Sequence, residues 1–72
     1  ENTEKENLIF MLVNNMKQED KDIFILYYYN AKSIKDIANI LNITENKIKS
    51  RLFRIRRKIK RGLEKRGYSY NG

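Results

Sequence analysis

The chemistry that this sequence could perform is concentrated in residues 44–61, which read TENKIKSRLFRIRRKIKR. If this stretch is helical, at about 100° per residue, its apolar residues fall on one stripe and its polar residues on the remaining faces. The stripe consists of Ile48, Leu52, Ile55, Ile59 and Leu63, and the opposite face presents Asn46, Ser50, Phe53, Arg54, Arg57 and Arg61, flanked by Lys47, Lys49 and Arg51. We therefore expect a helix that buries one side in a core and offers the other to an anion.

Other kinds of chemistry find little support. The 72 residues contain no Cys and no His, which removes disulfides, thiolate metal sites, Cys nucleophiles and His-based acid–base catalysis. Glu19, Asp20 and Asp22 form the one acidic cluster, where the start of a helix favours negative charge. We expect no enzyme, no cofactor and no metal. No apolar run approaches the roughly 20 residues of a membrane span, and no signal-peptide pattern opens the chain, so a cytoplasmic location is expected.

The charge is divided unevenly along the chain. Residues 1–46 hold five Lys or Arg against eight Asp or Glu, whereas residues 47–72 hold eleven Lys or Arg against one acid, Glu64. The two parts thus carry formal charges of −3 and +10, within a total of +7. This polarity favours binding of a polyanion by the C-terminal part. A basic helix face that is merely solvated is the alternative.

The elements that must position residues 44–61 are predicted to be helical throughout. The pattern indicates helices at about 3–16, 18–30, 33–41 and 44–65 with a tail at 67–72, in one domain over residues 1–72. Thr3, Ser33 and Thr44 have the side chains that cap helix starts, and Thr3 with Glu6 has the form of a capping box. Ile23, Leu26 and Tyr27 are predicted as the inner stripe of the second helix. No strand pattern competes, so we expect an all-α, compact four-helix bundle without winged elements.

The third and fourth helices have the features of a helix-turn-helix. The first helix of the pair is short and places Ala38 on its inward face, where two helices approach closely. Asn42 can adopt the left-handed conformation that ends a helix, and Ile43 supplies an apolar residue inside the turn. A helix with a polar, outward N-terminal half follows. The fold is therefore predicted to end in a helix-turn-helix.

The segment from Met16 to Ile59 resembles region 4, the C-terminal promoter-binding domain, of bacterial RNA polymerase sigma factors, and most of all the extracytoplasmic-function type. The matching elements are Asp36-Ile37-Ala38 for the family's "EIA", Leu41-Asn42-Ile43 for its turn, and residues 48–56, IKSRLFRIR, for its "VKSRLxRAR". The resemblance covers about residues 8–63. Two departures are Asn42 in place of the usual turn glycine, and Asn46-Lys47 in place of a common glycine–threonine.

The helix-turn-helix geometry divides the polar residues into two groups. The N-terminal half of a recognition helix enters the major groove, so we predict base contacts by a set that we call the reading face. It consists of Asn46, Lys47, Lys49, Ser50, Phe53 and Arg54. Helix starts and neighbouring cations suit backbone phosphates. The predicted phosphate contacts are Lys32, Ser33, Lys35, Thr44, Arg51 and Arg57. For Arg56, Lys58, Lys60, Lys65 and Arg66, a solvated flank of the core is an equal alternative.

The resemblance also implies partners. It implies binding to the minus-35 element of double-stranded promoter DNA, contact with the β flap of core RNA polymerase, and an anti-sigma factor as a candidate partner. In the run Tyr27-Tyr28-Tyr29, the first tyrosine continues the inner stripe, and at least one of the others should be exposed, as suits a protein contact. The alternative is that the tyrosine rings wrap a small core.

Two other binding modules remain open from the sequence. The DNA-binding domain of a LuxR-type response regulator has a similar four-helix plan, but it commonly reads "TVKxH" where this chain has Ile48-Lys49-Ser50-Arg51. A helical bundle that binds only proteins is the other. A whole sigma factor also needs a domain that melts the promoter, so we interpret the chain as a C-terminal fragment of one, with Glu1 just after a linker.

Overall fold

The computed structural model describes residues 3–68, which form four helices. These are α1 (Glu4–Asn14), α2 (Gln18–Phe24, continued by a π-helical turn over Ile25–Tyr29), α3 (Ile34–Leu41) and α4 (Glu45–Lys65). No strand occurs among the described residues, so the predicted all-α class is confirmed. Glu1 and residues 69–72 of the predicted tail lie outside the described residues.

Three helix starts are capped by the side chains that the sequence predicts. Thr3 and Glu6 form the complete capping box, in which the Glu6 N–H donates to Thr3 Oγ1 at 3.1 Å and the Thr3 N–H donates to Glu6 Oε1 at 2.7 Å. Ser33 Oγ accepts from the backbone of the third helix at 3.0 Å, and Thr44 Oγ1 accepts from that of α4 at 3.1 Å. These bonds satisfy N–H groups that a helix start leaves without a partner.

The second helix departs from the regular geometry that its sequence suggests. Its last turn is π-helical, because the Asn30 N–H donates to the Ile25 carbonyl, five residues earlier, at 3.0 Å. Phe24, which the predicted stripe omits, is buried at 6% exposure, while Leu26 and Tyr27 are only partly buried. The helix ends at Tyr29, and Ala31, two residues later, has a left-handed φ of 53°.

Helix α4 lies at the centre of the fold, and its apolar side contributes to the core. All five residues of its predicted apolar stripe are buried, at 4% exposure or less. The other three helices pack around this stripe and contribute Leu8, Val13, Ile23, Phe24, Ile37 and Ala38. The two ends of the described chain also meet, since the Tyr68 hydroxyl donates to Glu4 Oε1 at 2.7 Å. Because α4 buries this stripe, the polar residues on its opposite side are exposed.

Candidate nucleic-acid interface

Helices α3 and α4 are joined by a tight turn that fixes the angle between them. Asn42 has φ 57° and ψ 45°, the left-handed conformation predicted for it. The Ile43 N–H donates to the Ala38 carbonyl at 3.0 Å, and the Ile43 side chain packs against the core. Ala38 itself is buried at 8% exposure. The pair has the features of a helix-turn-helix, and α4 takes the place of the recognition helix.

The six residues of the reading face are all exposed on the N-terminal half of α4. Phe53 is 60% exposed, so it does not shield the core, and the Arg57 guanidinium lies 5.7 Å from the centroid of its ring. These side chains form a continuous polar surface whose one large apolar group is Phe53.

Five of the six predicted phosphate residues are also exposed: Lys32, Ser33, Lys35, Thr44 and Arg57. Ser33 and Thr44 use their hydroxyl oxygens as acceptors in the caps, which leaves each O–H free to donate to an anion. Lys32 and Lys35 flank the start of α3, where the helix dipole also favours negative charge. The starts of α3 and α4 therefore offer both hydrogen-bond donors and positive charge.

Arg51, for which a phosphate contact was predicted, is engaged by two carboxylates of α2. Its guanidinium is turned towards α2, where Nη2 lies 2.8 Å from Glu19 Oε1 and Nη1 lies 3.2 Å from Asp20 Oδ1. The Arg51 side chain is 18% exposed and that of Asp20 only 8%. Burying a carboxylate is costly unless a partner neutralises it, and breaking such a pair from one side typically costs about 3–5 kcal/mol. Arg51 therefore serves the fold in this geometry.

A second arginine of α4 is also held by α2. Arg56 Nε donates to the Tyr28 hydroxyl at 2.7 Å, and the guanidinium lies 5.8 Å and 5.9 Å from the ring centroids of Tyr27 and Tyr28. The hydrogen bond to Tyr28 raises the pKa of Arg56 further above its usual value, so the guanidinium stays charged. Cation–π contacts of this kind add to the packing. Arg56 therefore lies with α2 and not on the open basic surface.

Four cations of α4, one of them from the reading face, form an open basic surface. Arg54, Arg57, Lys58 and Arg61 line one shallow depression. None of them forms an ion pair with a carboxylate of the described residues. Four positive charges on one side of a helix repel one another unless an external anion neutralises them. This side of α4 is suited to a polyanion.

A different surface lies on α1 and on the π-helical turn of α2. Phe10, Tyr28 and Tyr29, which we call the aromatic surface, are 40%, 44% and 55% exposed. Phe10 stacks on Tyr29 with ring centroids 5.5 Å apart, and both tyrosines contact the buried Phe24 at 5.0 Å and 5.9 Å. Tyr27 packs against the core and is partly buried. Of the run Tyr27-Tyr28-Tyr29, the last two are therefore the exposed residues.

Other kinds of site find no support in the part of the chain that the structure covers. Within residues 3–68, no group of three or more Cys, His, Asp or Glu is placed to hold a metal ion. Two members of the acidic cluster, Glu19 and Asp20, are engaged by Arg51. No helix of these residues combines the length and the apolar content that crossing a bilayer requires. The open basic side of α4 is the strongest candidate site.

Comparison with known proteins agrees with this geometry. A family model described as "Sigma-70, region 4" matches residues 6–59. This span contains α3, the turn, the part of α4 that carries the reading face, and all three residues of the aromatic surface. No curated protein and no solved structure gives a significant match.

Proposed function

The chain belongs to the sigma-70 region 4 family, and we propose that it recognises the minus-35 promoter element with α4 while it contacts core RNA polymerase through a separate surface. Region 4 is a DNA-binding family that acts in promoter recognition during transcription initiation, and it is not an enzyme family. Promoter DNA and polymerase also make the cytoplasm the expected location. The LuxR-type alternative is thereby set aside.

The observation that carries the proposal is the open polar side of α4, placed as the second helix of a helix-turn-helix. The major groove admits one α-helix, and the side chains on its first turns reach the base edges. Arg54 can donate two hydrogen bonds to a guanine, and Phe53 can pack against a thymine methyl group. Each good bidentate contact is worth roughly 1–3 kcal/mol of discrimination against a wrong base.

Backbone phosphates are assigned to the exposed residues around the two helix starts. These are Lys32, Ser33, Lys35, Thr44 and Arg57. Such contacts fix the register of the protein on the duplex but carry no sequence information themselves. Each cation that neutralises a phosphate also makes the affinity fall as salt rises.

The aromatic surface is the proposed contact with the polymerase flap. Exposed aromatic rings are enriched in protein interfaces, and Phe10, Tyr28 and Tyr29 lie together on α1 and α2. An anti-sigma factor that binds this surface would compete with polymerase. The resemblance of residues 48–56, IKSRLFRIR, to the family's motif supports the extracytoplasmic-function type among sigma factors.

The test is selection of binding sites from random duplex DNA, with the domain fused to polymerase to supply the avidity that it lacks alone. Affinity for the selected duplex is then compared for Arg54→Ala and Lys35→Ala. We expect Arg54→Ala to relax the preference at one base position and Lys35→Ala to weaken binding to all sequences about equally. Equal losses on every sequence for both variants would refute this division of roles. Binding that is absent or insensitive to salt would refute DNA binding altogether.

A further inference from the structure

We infer that Arg51 is a positioning residue of the recognition helix, which together with Glu19 and Asp20 sets the placement of the reading face and itself touches no DNA. This inference rests on the proposed function, because it concerns how α4 reads bases. Its sequence neighbours Ser50 and Phe53 belong to the reading face, so Arg51 lies within the segment that would enter the groove.

The contact joins two parts of the fold that are distant in sequence. Arg51 reaches Asp20 across 31 residues, and its two terminal nitrogens bind two different carboxylates, at 2.8 Å and 3.2 Å. A planar guanidinium that donates to two acceptors restricts both the distance and the orientation of its helix. α2 is thereby fixed to α4 one turn before Arg54.

Arg51 cannot leave these carboxylates for a phosphate without a cost that the exposed cations avoid. Asp20 is 5% exposed, and among the described residues it is the one charged residue that is buried. If Arg51 left, the carboxylate of Asp20 would remain buried without a partner. Arg57, which is exposed and pairs with no carboxylate of the described residues, meets a phosphate without such a penalty. The same charge on the same helix therefore has two different roles.

Positioning matters here because base contacts tolerate little displacement. A recognition site must be held within about 0.5 Å and 10–20° of its productive geometry. Arg56 provides a second attachment of α4 to the same helix, through its 2.7 Å bond to Tyr28. With both attachments in place, α2 acts as a brace along the side of α4. Loss of the Arg51 contact should let the N-terminal half of α4 shift, so that correct and incorrect bases are distinguished less well.

The experiment compares Arg51→Met with Arg57→Met, which removes the same charge from the exposed side of α4. Affinity for the selected duplex, and for a duplex with one changed base pair opposite Arg54, is measured by fluorescence anisotropy over a series of salt concentrations. We expect Arg51→Met to leave the slope of log affinity against log salt unchanged and to reduce the ratio of the two affinities about tenfold. Arg57→Met should make the negative slope shallower by about 0.9 and leave the ratio of the two affinities unchanged.

A second variant keeps the test valid if Arg51→Met alone unfolds. Glu19→Gln and Asp20→Asn, combined with Arg51→Met, remove the buried charge together with its partner, so no unpaired buried charge remains while the attachment is lost. This triple variant, checked for helicity by circular dichroism, should also keep the salt slope and lose discrimination.

The outcomes separate the inference from the proposed function. A negative slope that becomes shallower by about 0.9 in Arg51→Met, with the ratio unchanged, makes Arg51 a phosphate contact and overturns the inference while DNA binding stands. Unchanged slope and unchanged ratio in both the single and the triple variant overturn it as well. If the wild type shows no salt-dependent binding to any duplex, the proposed function fails and the inference fails with it.

Discussion

Replacing Gly62 with alanine should destabilise the fold, although alanine is the better helix former. A Cβ atom at position 62 would lie 2.6 Å from both Cδ atoms of Leu12 and 3.1 Å from its Cγ. Carbon atoms prefer about 3.5–4.0 Å, so Leu12 would have to retreat by about 1 Å. Overpacking of this kind costs about 1–3 kcal/mol, against a gain of about 1 kcal/mol in helix propensity. We expect the free energy of unfolding to fall by about 0–2 kcal/mol.

A second substitution isolates the cause. In a Leu12→Ala background the obstructing atoms are absent, so Gly62→Ala should there raise the free energy of unfolding by about 1 kcal/mol. Urea denaturation followed by circular dichroism at about 222 nm measures all four proteins. The cycle should give a coupling of about 1–3 kcal/mol between the two sites. Equal effects of Gly62→Ala in both backgrounds would refute the close approach of α1 and α4.

Three further changes test local features of the fold. Ala31→Gly should raise the free energy of unfolding by about 0.5–1 kcal/mol, because glycine relieves the left-handed φ of 53°, whereas Ala31→Val should lower it in the same urea assay. Thr44→Ala should lower it by about 1 kcal/mol through loss of the cap to the Lys47 N–H, and Thr44→Ser should restore most of that loss. The hydrogen bond to Glu4 raises the pKa of the Tyr68 phenol above 10, and the stability that this bond contributes is therefore present below pH 10 and is lost as the pH rises through the raised pKa. Glu4→Gln should lower the pKa of Tyr68. The titration of Tyr68 is obtained from the tyrosinate absorbance by subtracting the titration curve of the Tyr68→Phe variant. An unchanged pKa in Glu4→Gln would contradict the contact.

The recognition helix was the most predictable part of the molecule, because this one amphipathic helix contributes five of the eleven buried apolar residues of the core. A spacing of three and four residues from Ile48 to Leu63 identifies every buried position of α4. The turn was equally predictable. Asn42 tolerates the left-handed conformation, and Ile43 is an apolar residue that packs against the core. Caps are local chemistry, so Ser33 and Thr44 could be recognised from their own sequence neighbourhood.

What sequence periodicity could not supply were features that depend on distant contacts. The periodicity does not mark the π-helical turn over Ile25–Tyr29, and the predicted stripe omits Phe24, which is buried. Arg51 has the same side chain as the other arginines of its helix, and the approach of Glu19 and Asp20 in the folded protein distinguishes it. One signal was available: Arg51 borders the apolar stripe beside Ile48 and Ile55, where an inward partner is more natural than a phosphate.

The most direct test of the central claim, that α4 and the start of α3 form the DNA-binding surface, is an NMR titration. The selected duplex is added to isotope-labelled protein, and the backbone amide shifts are followed residue by residue. We expect the largest changes at residues 32–35 and 44–57, and we expect the amides of Phe10 and Tyr29 on the aromatic surface to stay unchanged. Shifts centred on the aromatic surface, or spread evenly over the molecule, would contradict the claim.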